Sequence, residues 1–161
     1  MATPLAYTAA YIHSVSAVRA AFSDEQYWKD RITEVGGPNA HLESVAAEGD
    51  TVRIHMVQAI AAELLPPAVT AVRPGDLIIP RTETWNGNAA SYEATVEGAP
   101  AKMSGIITLT GDDNAATAVV DGTIEVKVPL FGGKIEAAIK EHLIELLRSE
   151  TEFTNTWLSG R

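Results

Sequence analysis

Arg81 and Glu83, two positions apart in Ile79-Pro80-Arg81-Thr82-Glu83-Thr84-Trp85, are the chain's most conspicuous residues for chemistry. Side chains alternate along a strand, so both share a face with Leu77, Ile79 and Trp85. The Asn86-Gly87 turn folds this strand back as a hairpin and sets Ala90, Tyr92, Ala94 and Val96 on the same face, an apolar neighbour that makes it the inner one. Ionised groups there are costly unless they pair and find further hydrogen bonds. Two readings stay open. In one, Arg81 and Glu83 form a structural ion pair, or a twist or bulge turns both into water. In the other, they anchor the carboxylate, phenol or carbonyl of a ligand in an apolar pocket.

Three further polar residues belong to the same argument. Tyr92 faces inward with a phenol that needs a partner if buried, which suits core packing, a ligand contact or a proton donor. His142 sits on the flank of a helical apolar stripe, as a hydrogen-bonded packing residue or a proton-transfer group. Glu150 points towards the sheet by helical phase and is expected to lie beyond the packed region, beside a cavity mouth or in solvent.

Other site chemistries are poorly supplied. The histidines, His13, His41, His55 and His142, show neither helical i, i+4 pairing nor close spacing, and the chain has no cysteine, so no metal and no cofactor is expected. Gly132-Gly133-Lys134 imitates the end of a phosphate loop, but the leading glycine is missing and Ile135 stands where Ser or Thr belongs. It reads as a helix start. There is no Gly-x-Ser-x-Gly elbow.

The elements that must position these residues follow from turns and periodicity. At 161 residues, 46% hydrophobic and 20% charged, the chain suits a single domain, 1–161, and is too apolar for disorder. A first strand is expected over Leu5–Ile12, then two short helices, capped by Ser14 and Asp24 and ended by Gly36-Gly37-Pro38. From Ala40 to Val128, turn signals at Gly49-Asp50, Asn86-Gly87, Gly98-Ala99-Pro100 and Gly111-Asp112 describe a meander. Pro66, Pro67 and Pro74 make Ala61–Gly75 a loop with a helical turn.

Parity rejects a hairpin at Asp121-Gly122, because it would turn Thr123, Glu125 and Lys127 inward. A continuous strand instead keeps Ala118, Val120, Ile124 and Val126 together, and Gly122 marks a bend or bulge. After Pro129 the period becomes helical: Ile135, Ile139, Leu143, Leu146, Phe153 and Trp157 share one stripe, and Lys134, Glu141, Glu145, Arg148 and Glu152 oppose it. A helix of about 25 residues, twice the usual length, must cross the whole sheet.

Asp24-Glu25-Gln26-Tyr27-Trp28, Leu65-Pro66, Ile79 to Trp85, Lys102-Met103-Ser104-Gly105, Val128-Pro129-Leu130-Phe131-Gly132-Gly133-Lys134-Ile135-Glu136 and Phe153-Thr154-Asn155-Thr156-Trp157-Leu158 together resemble the START-like helix-grip (SRPBCC) superfamily, and within it an uncharacterised actinobacterial branch. Their order and spacing span nearly the whole chain. The resemblance implies an α+β helix-grip fold: a seven-stranded curved antiparallel sheet wrapped around a C-terminal helix, with a gap filled by a hydrophobic ligand or by bulky side chains. It transfers no catalytic motif.

A cavity of that kind would be lined by Arg81, Glu83, Tyr92, Met103, Ile107, Ile139, His142, Leu143 and Leu146. The leading expectation is binding or carriage of a small hydrophobic molecule, such as a lipid, polyketide or isoprenoid. A polyketide cyclase or dehydratase would use Arg81, Glu83, Tyr92 or His142 to move protons. An interaction module would have a filled cavity and an exposed apolar patch around Leu64, Leu65 and the prolines. A formal charge of −9 with scattered basic residues disfavours nucleic acid. No stretch is apolar enough for membrane insertion, and Met1–Val18 lacks the basic residues of a secretory signal, so a cytoplasmic location is expected.

Overall fold

The computed structural model describes residues 2–161. β1 (Ala2–Tyr11) leads into α1 (Val15–Phe22) and α2 (Glu25–Val35). Each helix begins on a side-chain cap that satisfies an otherwise free N–H: Ala17 N–H donates to Ser14 Oγ at 3.0 Å and Gln26 N–H to Asp24 Oδ1 at 2.9 Å. Then come β2 (His41–Glu48), β3 (Thr51–Ile60), α3 (Pro67–Val72), β4 (Leu77–Asn86), β5 (Ala89–Thr95), β6 (Ala101–Gly111), β7 (Ala116–Val126) and α4 (Gly132–Ser159). The strands form one antiparallel sheet in the order β1-β7-β6-β5-β4-β3-β2. This is the helix-grip arrangement.

Boundaries shift slightly from expectation. β1 begins at Ala2 because residues 2–4 already pair with Thr123–Glu125 of β7, and α4 runs 28 residues. Residues 61–75 hold a 3-10 turn (Ala62–Leu64) and α3, whose first residue, Pro67, needs no N–H partner there. Leu65 and Val69 are tucked into the core, while Leu64, Pro66, Pro67 and Val72 remain exposed around them.

Strand parity is as expected: Leu77, Ile79, Glu83 and Trp85 are buried on β4, opposite Ala90, Tyr92 and Ala94 on β5. β7 passes through Gly122 with no change of register on either side, so Gly122 is a bend and not a bulge. It pairs with Gly105 of β6. A Cβ on either glycine would run into the opposite backbone and the Tyr92 hydroxyl, so the close approach that bends the sheet depends on both.

α4 leans along β1 and β7 and against α2. The core falls into two clusters. At one end Phe22, Tyr27, Trp28 and Trp85 pack in tilted and edge-to-face pairs with ring centroids 5.0–6.0 Å apart, beside Val52, Ile54 and Met56. At the other, Ile135 and Ile139 of α4 pack on Leu5, Leu77, Ile79 and Met103. The clusters meet beneath the middle of α4, where Leu143, Leu146 and Leu147 are only half-buried.

Candidate functional site

Two small cavities adjoin at that seam, each of about 40 Å³, room for roughly three water molecules. The first is apolar: Leu5, Ile79, Ala94, Met103, Ile107 and Val120 of the sheet face Leu143, Leu146 and Leu147 of α4, with Tyr92, Gln58 and Arg81 at its margin. The second shares Arg81, Ile107, Val120 and Leu147 with it and is bounded by Tyr11, Arg31, Glu83 and Glu150. Arg81 therefore stands where an apolar chamber meets a polar one.

The polar chamber is walled by a buried ion network. Glu150, 4% exposed, takes Arg31 Nη2 at 2.5 Å on one oxygen. Its other oxygen accepts Gln58 Nε2 at 2.8 Å and Arg81 Nη1 at 3.2 Å. Glu83 accepts Arg81 Nη2 and Trp85 Nε1, both at 2.8 Å. Arg31 Nη1 donates to the Tyr27 oxygen at 3.4 Å, Tyr27 O–H donates to Thr154 Oγ1 at 2.5 Å, and Thr154 O–H continues to the Glu150 carbonyl at 2.8 Å. Four elements, α2, β3, β4 and α4, are tied together by these side chains. Two arginines against two glutamates leave the network without net charge.

Burial opposes the Glu150 carboxylate, but Arg31 and Arg81 outweigh it and hold the carboxyl down at about 2. Arg31 likewise loses solvation yet is held charged by Glu150, and its guanidinium lies 4.5 Å from the Trp28 ring centre. Burial raises the Tyr11, Tyr27 and Tyr92 phenols, so all three stay protonated at neutral pH. Among the described residues three buried side-chain polar atoms have no hydrogen-bond partner: Arg31 Nε, Arg81 Nε and the Tyr92 hydroxyl.

Of the residues expected at the cavity, Arg81, Tyr92, Met103, Ile107, Leu143 and Leu146 line the apolar chamber. Glu83 lies on the polar chamber and is paired with Arg81, as one of the two readings held. Ile139 and His142 stand apart. Ile139 packs under α3 with Val69, Leu77 and Val96, and half-buried His142 lines neither chamber. Glu150 corrects its expectation outright: instead of facing a mouth or solvent it is at the centre of the network, because α2 closes that end of the groove and brings Arg31 to it.

Arg31 and Gln58 were missed by sequence reasoning, although both left a signal. Arg31 falls on the apolar stripe of α2 defined by Tyr27, Trp28 and Ile32, and Gln58 continues the inward parity of Val52, Ile54 and Met56. A much wider groove, about 680 Å³, lies on the surface between the start of β1 and the segment 126–133. Its buried polar residue, Glu136, has both oxygens engaged, by Thr3 Oγ1 at 2.7 Å and Val126 N–H at 2.8 Å, so the interior seam is the better candidate. No three His, Cys, Asp or Glu among the described residues are grouped to hold a metal ion, and none of their helices is long and apolar enough to cross a membrane.

Comparison with known structures places this geometry among helix-grip proteins. The aromatase/cyclase Zhui from Streptomyces sp. R1128 superposes with a TM-score of 0.67 at 7% identity, over 99% of this chain and 94% of that one. TTHA0849 from Thermus thermophilus gives a TM-score of 0.63 at 15% identity, over 98% of both chains. At such identities the likeness is one of fold. In sequence the chain is 33% identical to an uncharacterised protein of Mycobacterium tuberculosis over 95% of each. Residues 6–158 match the family described as Protein of unknown function (DUF2505), and the chain belongs to that family.

Proposed function

We propose that the chain binds and carries a small hydrophobic molecule, in the cytoplasm, between the sheet and α4. The observation that carries this reading is the apolar chamber at the seam of the two core clusters, with a buried arginine and an unpaired phenol at its edge. An apolar pocket with a few convergent polar groups is what small-molecule sites have in common. The fold supports the reading too, since a helix-grip neighbour is an aromatase/cyclase. Arg81, Tyr92, Met103, Ile107, Leu143 and Leu146 are the proposed contacts.

The chamber is smaller than the roughly 300–1,000 Å³ of ordinary ligand sites, so a ligand must push the half-buried leucines of α4 outward. That same small volume favours a second reading, in which the cavity stays filled and the surface binds a protein. Native mass spectrometry of the purified protein, with organic extraction and a thermal-shift screen of hydrophobic compounds, separates the two. A stoichiometric adduct lost on denaturation is the expected result. No adduct together with no thermal shift overturns the carrier reading in favour of the interaction module.

A further inference from the structure

The polar groups around the seam are unequal in kind. Every carboxylate oxygen of Glu83 and Glu150 already accepts a hydrogen bond, and so does the Gln58 amide oxygen, from Arg81 Nη1 at 3.2 Å. The three atoms left without partners among the described residues are two N–H groups and one O–H: Arg31 Nε, Arg81 Nε and Tyr92 Oη. The unfilled requirement is thus for acceptors, and the network around it is already neutral.

The Tyr92 hydroxyl is unpaired because of how the sheet is built. Tyr92 on β5 stands opposite Gly105 on β6, which stands opposite Gly122 on β7, which in turn faces Leu5 on β1. The phenol lies across both glycines in the space their missing side chains leave. It borders the apolar chamber lined by Leu5, Ile107 and Val120, and its hydroxyl has no hydrogen-bond partner. A buried hydroxyl left in this state costs free energy until something accepts its hydrogen.

Resting on the binding reading above, we propose that the ligand is an uncharged, carbonyl-bearing apolar molecule, such as a ketone, quinone or ester, whose oxygens accept from Tyr92 O–H and Arg81 Nε–H. This narrows the three anchored groups that Arg81 alone would allow. A carboxylate would add an unbalanced charge to a neutral, desolvated network that already holds Glu83 and Glu150. A phenol or alcohol would bring a donor of its own to a place where each carboxylate and amide oxygen already accepts a hydrogen bond, a demand that a carbonyl does not add. A carbonyl brings acceptance alone.

The test compares four probes of one skeleton, 2-nonanone, 2-nonanol, nonanoate and nonane, titrated against the whole protein and against Tyr92→Phe. The ketone is expected to bind about tenfold more tightly than the alcohol and more tightly still than nonanoate, as one well-placed hydrogen bond in a dry site gives. Tyr92→Phe should weaken the ketone by about the same factor and leave nonane unchanged. Because the substitution removes an unpaired hydroxyl and little else, its ligand-free stability should not fall. An infrared measurement on 2-nonanone labelled with ¹³C at the carbonyl supplies a readout independent of affinity: the bound stretch shifts to lower wavenumber, and the shift shrinks in Tyr92→Phe. If nonanoate or 2-nonanol binds as tightly as the ketone, the carbonyl assignment is overturned while the hydrophobic-binding reading stands. If none of the four binds, both fall. A ketone affinity and carbonyl stretch that are unchanged in Tyr92→Phe remove the tyrosine from the assignment.

Discussion

Glu150 shows how strongly a single residue depends on its partners. Its carboxyl titrates near 4.5 when unfolded and is held at about 2 when folded, so the network contributes stability that is complete above pH 4.5 and lost as the pH falls towards 2. For this buried group the contribution is about 3 kcal/mol. Urea melts at pH 6 and pH 3 should therefore show a large loss in the natural protein and a smaller one in Glu150→Gln, which is less stable at pH 6 but has no such proton to gain. Equal losses in the two would place the acid sensitivity elsewhere. Arg81→Ala leaves Glu83 without its cationic partner and Glu150 with one arginine only, and should cost about 3–5 kcal/mol by the same urea measurement. A loss below about 1 kcal/mol would show that Arg81 is spare for ligand binding. The pairing of Arg81 with Glu83 was legible from strand parity and from the cost of a lone buried charge. The part played by Arg31 was not, since nothing local tells α2 which helix it will pack on.

At the scale of elements, two glycines of the same type act in opposite senses. Gly122 sits where a Cβ would meet the Ser104 carbonyl, the Gly105 Cα and the Tyr92 hydroxyl, whereas a Cβ on Gly133 in the first turn of α4 meets nothing within 4 Å. Gly122→Ala should cost about 2–3 kcal/mol through overpacking at the bend. Gly133→Ala should raise stability by about 0.4–1 kcal/mol, since it narrows the unfolded ensemble and improves helix propensity. Thermal melts of the pair check both, and a harmless Gly122→Ala would mean that the bend has another origin. The existence and order of the strands and helices were readable because turn residues and periodicity are local. The depth of the bend was not, because it depends on Gly105 and Gly122 meeting across two strands.

For the whole molecule, the seam beneath α4 joins stability to binding. Ligand at 100 times its Kd should stabilise the fold by about 2.7 kcal/mol and raise Tm by roughly 5–10 °C. Leu146→Ala removes part of the half-buried wall, so it should lower the ligand-free Tm while enlarging the rise that 2-nonanone produces. Differential scanning fluorimetry reads both, and an unchanged ligand-induced rise would remove Leu146 from the wall. Leu130 is 98% exposed and adopts φ 70, an uncommon backbone for leucine, ahead of a half-exposed Phe131; nothing among the described residues covers this pair. Sequence by itself determined the helix-grip order, the inward face of each central strand and the presence of a buried Arg81–Glu83 problem, because these follow from alternation, helical phase and the cost of burying charge. Only the tertiary structure decided that Glu150 and Arg31 solve that problem, that Ile139 and His142 stand off the cavity, and that the chamber is small, with the unpaired donors of Arg81 and Tyr92 at its margin. Those outcomes depend on how closely α2 and α4 approach the sheet, which no single segment encodes.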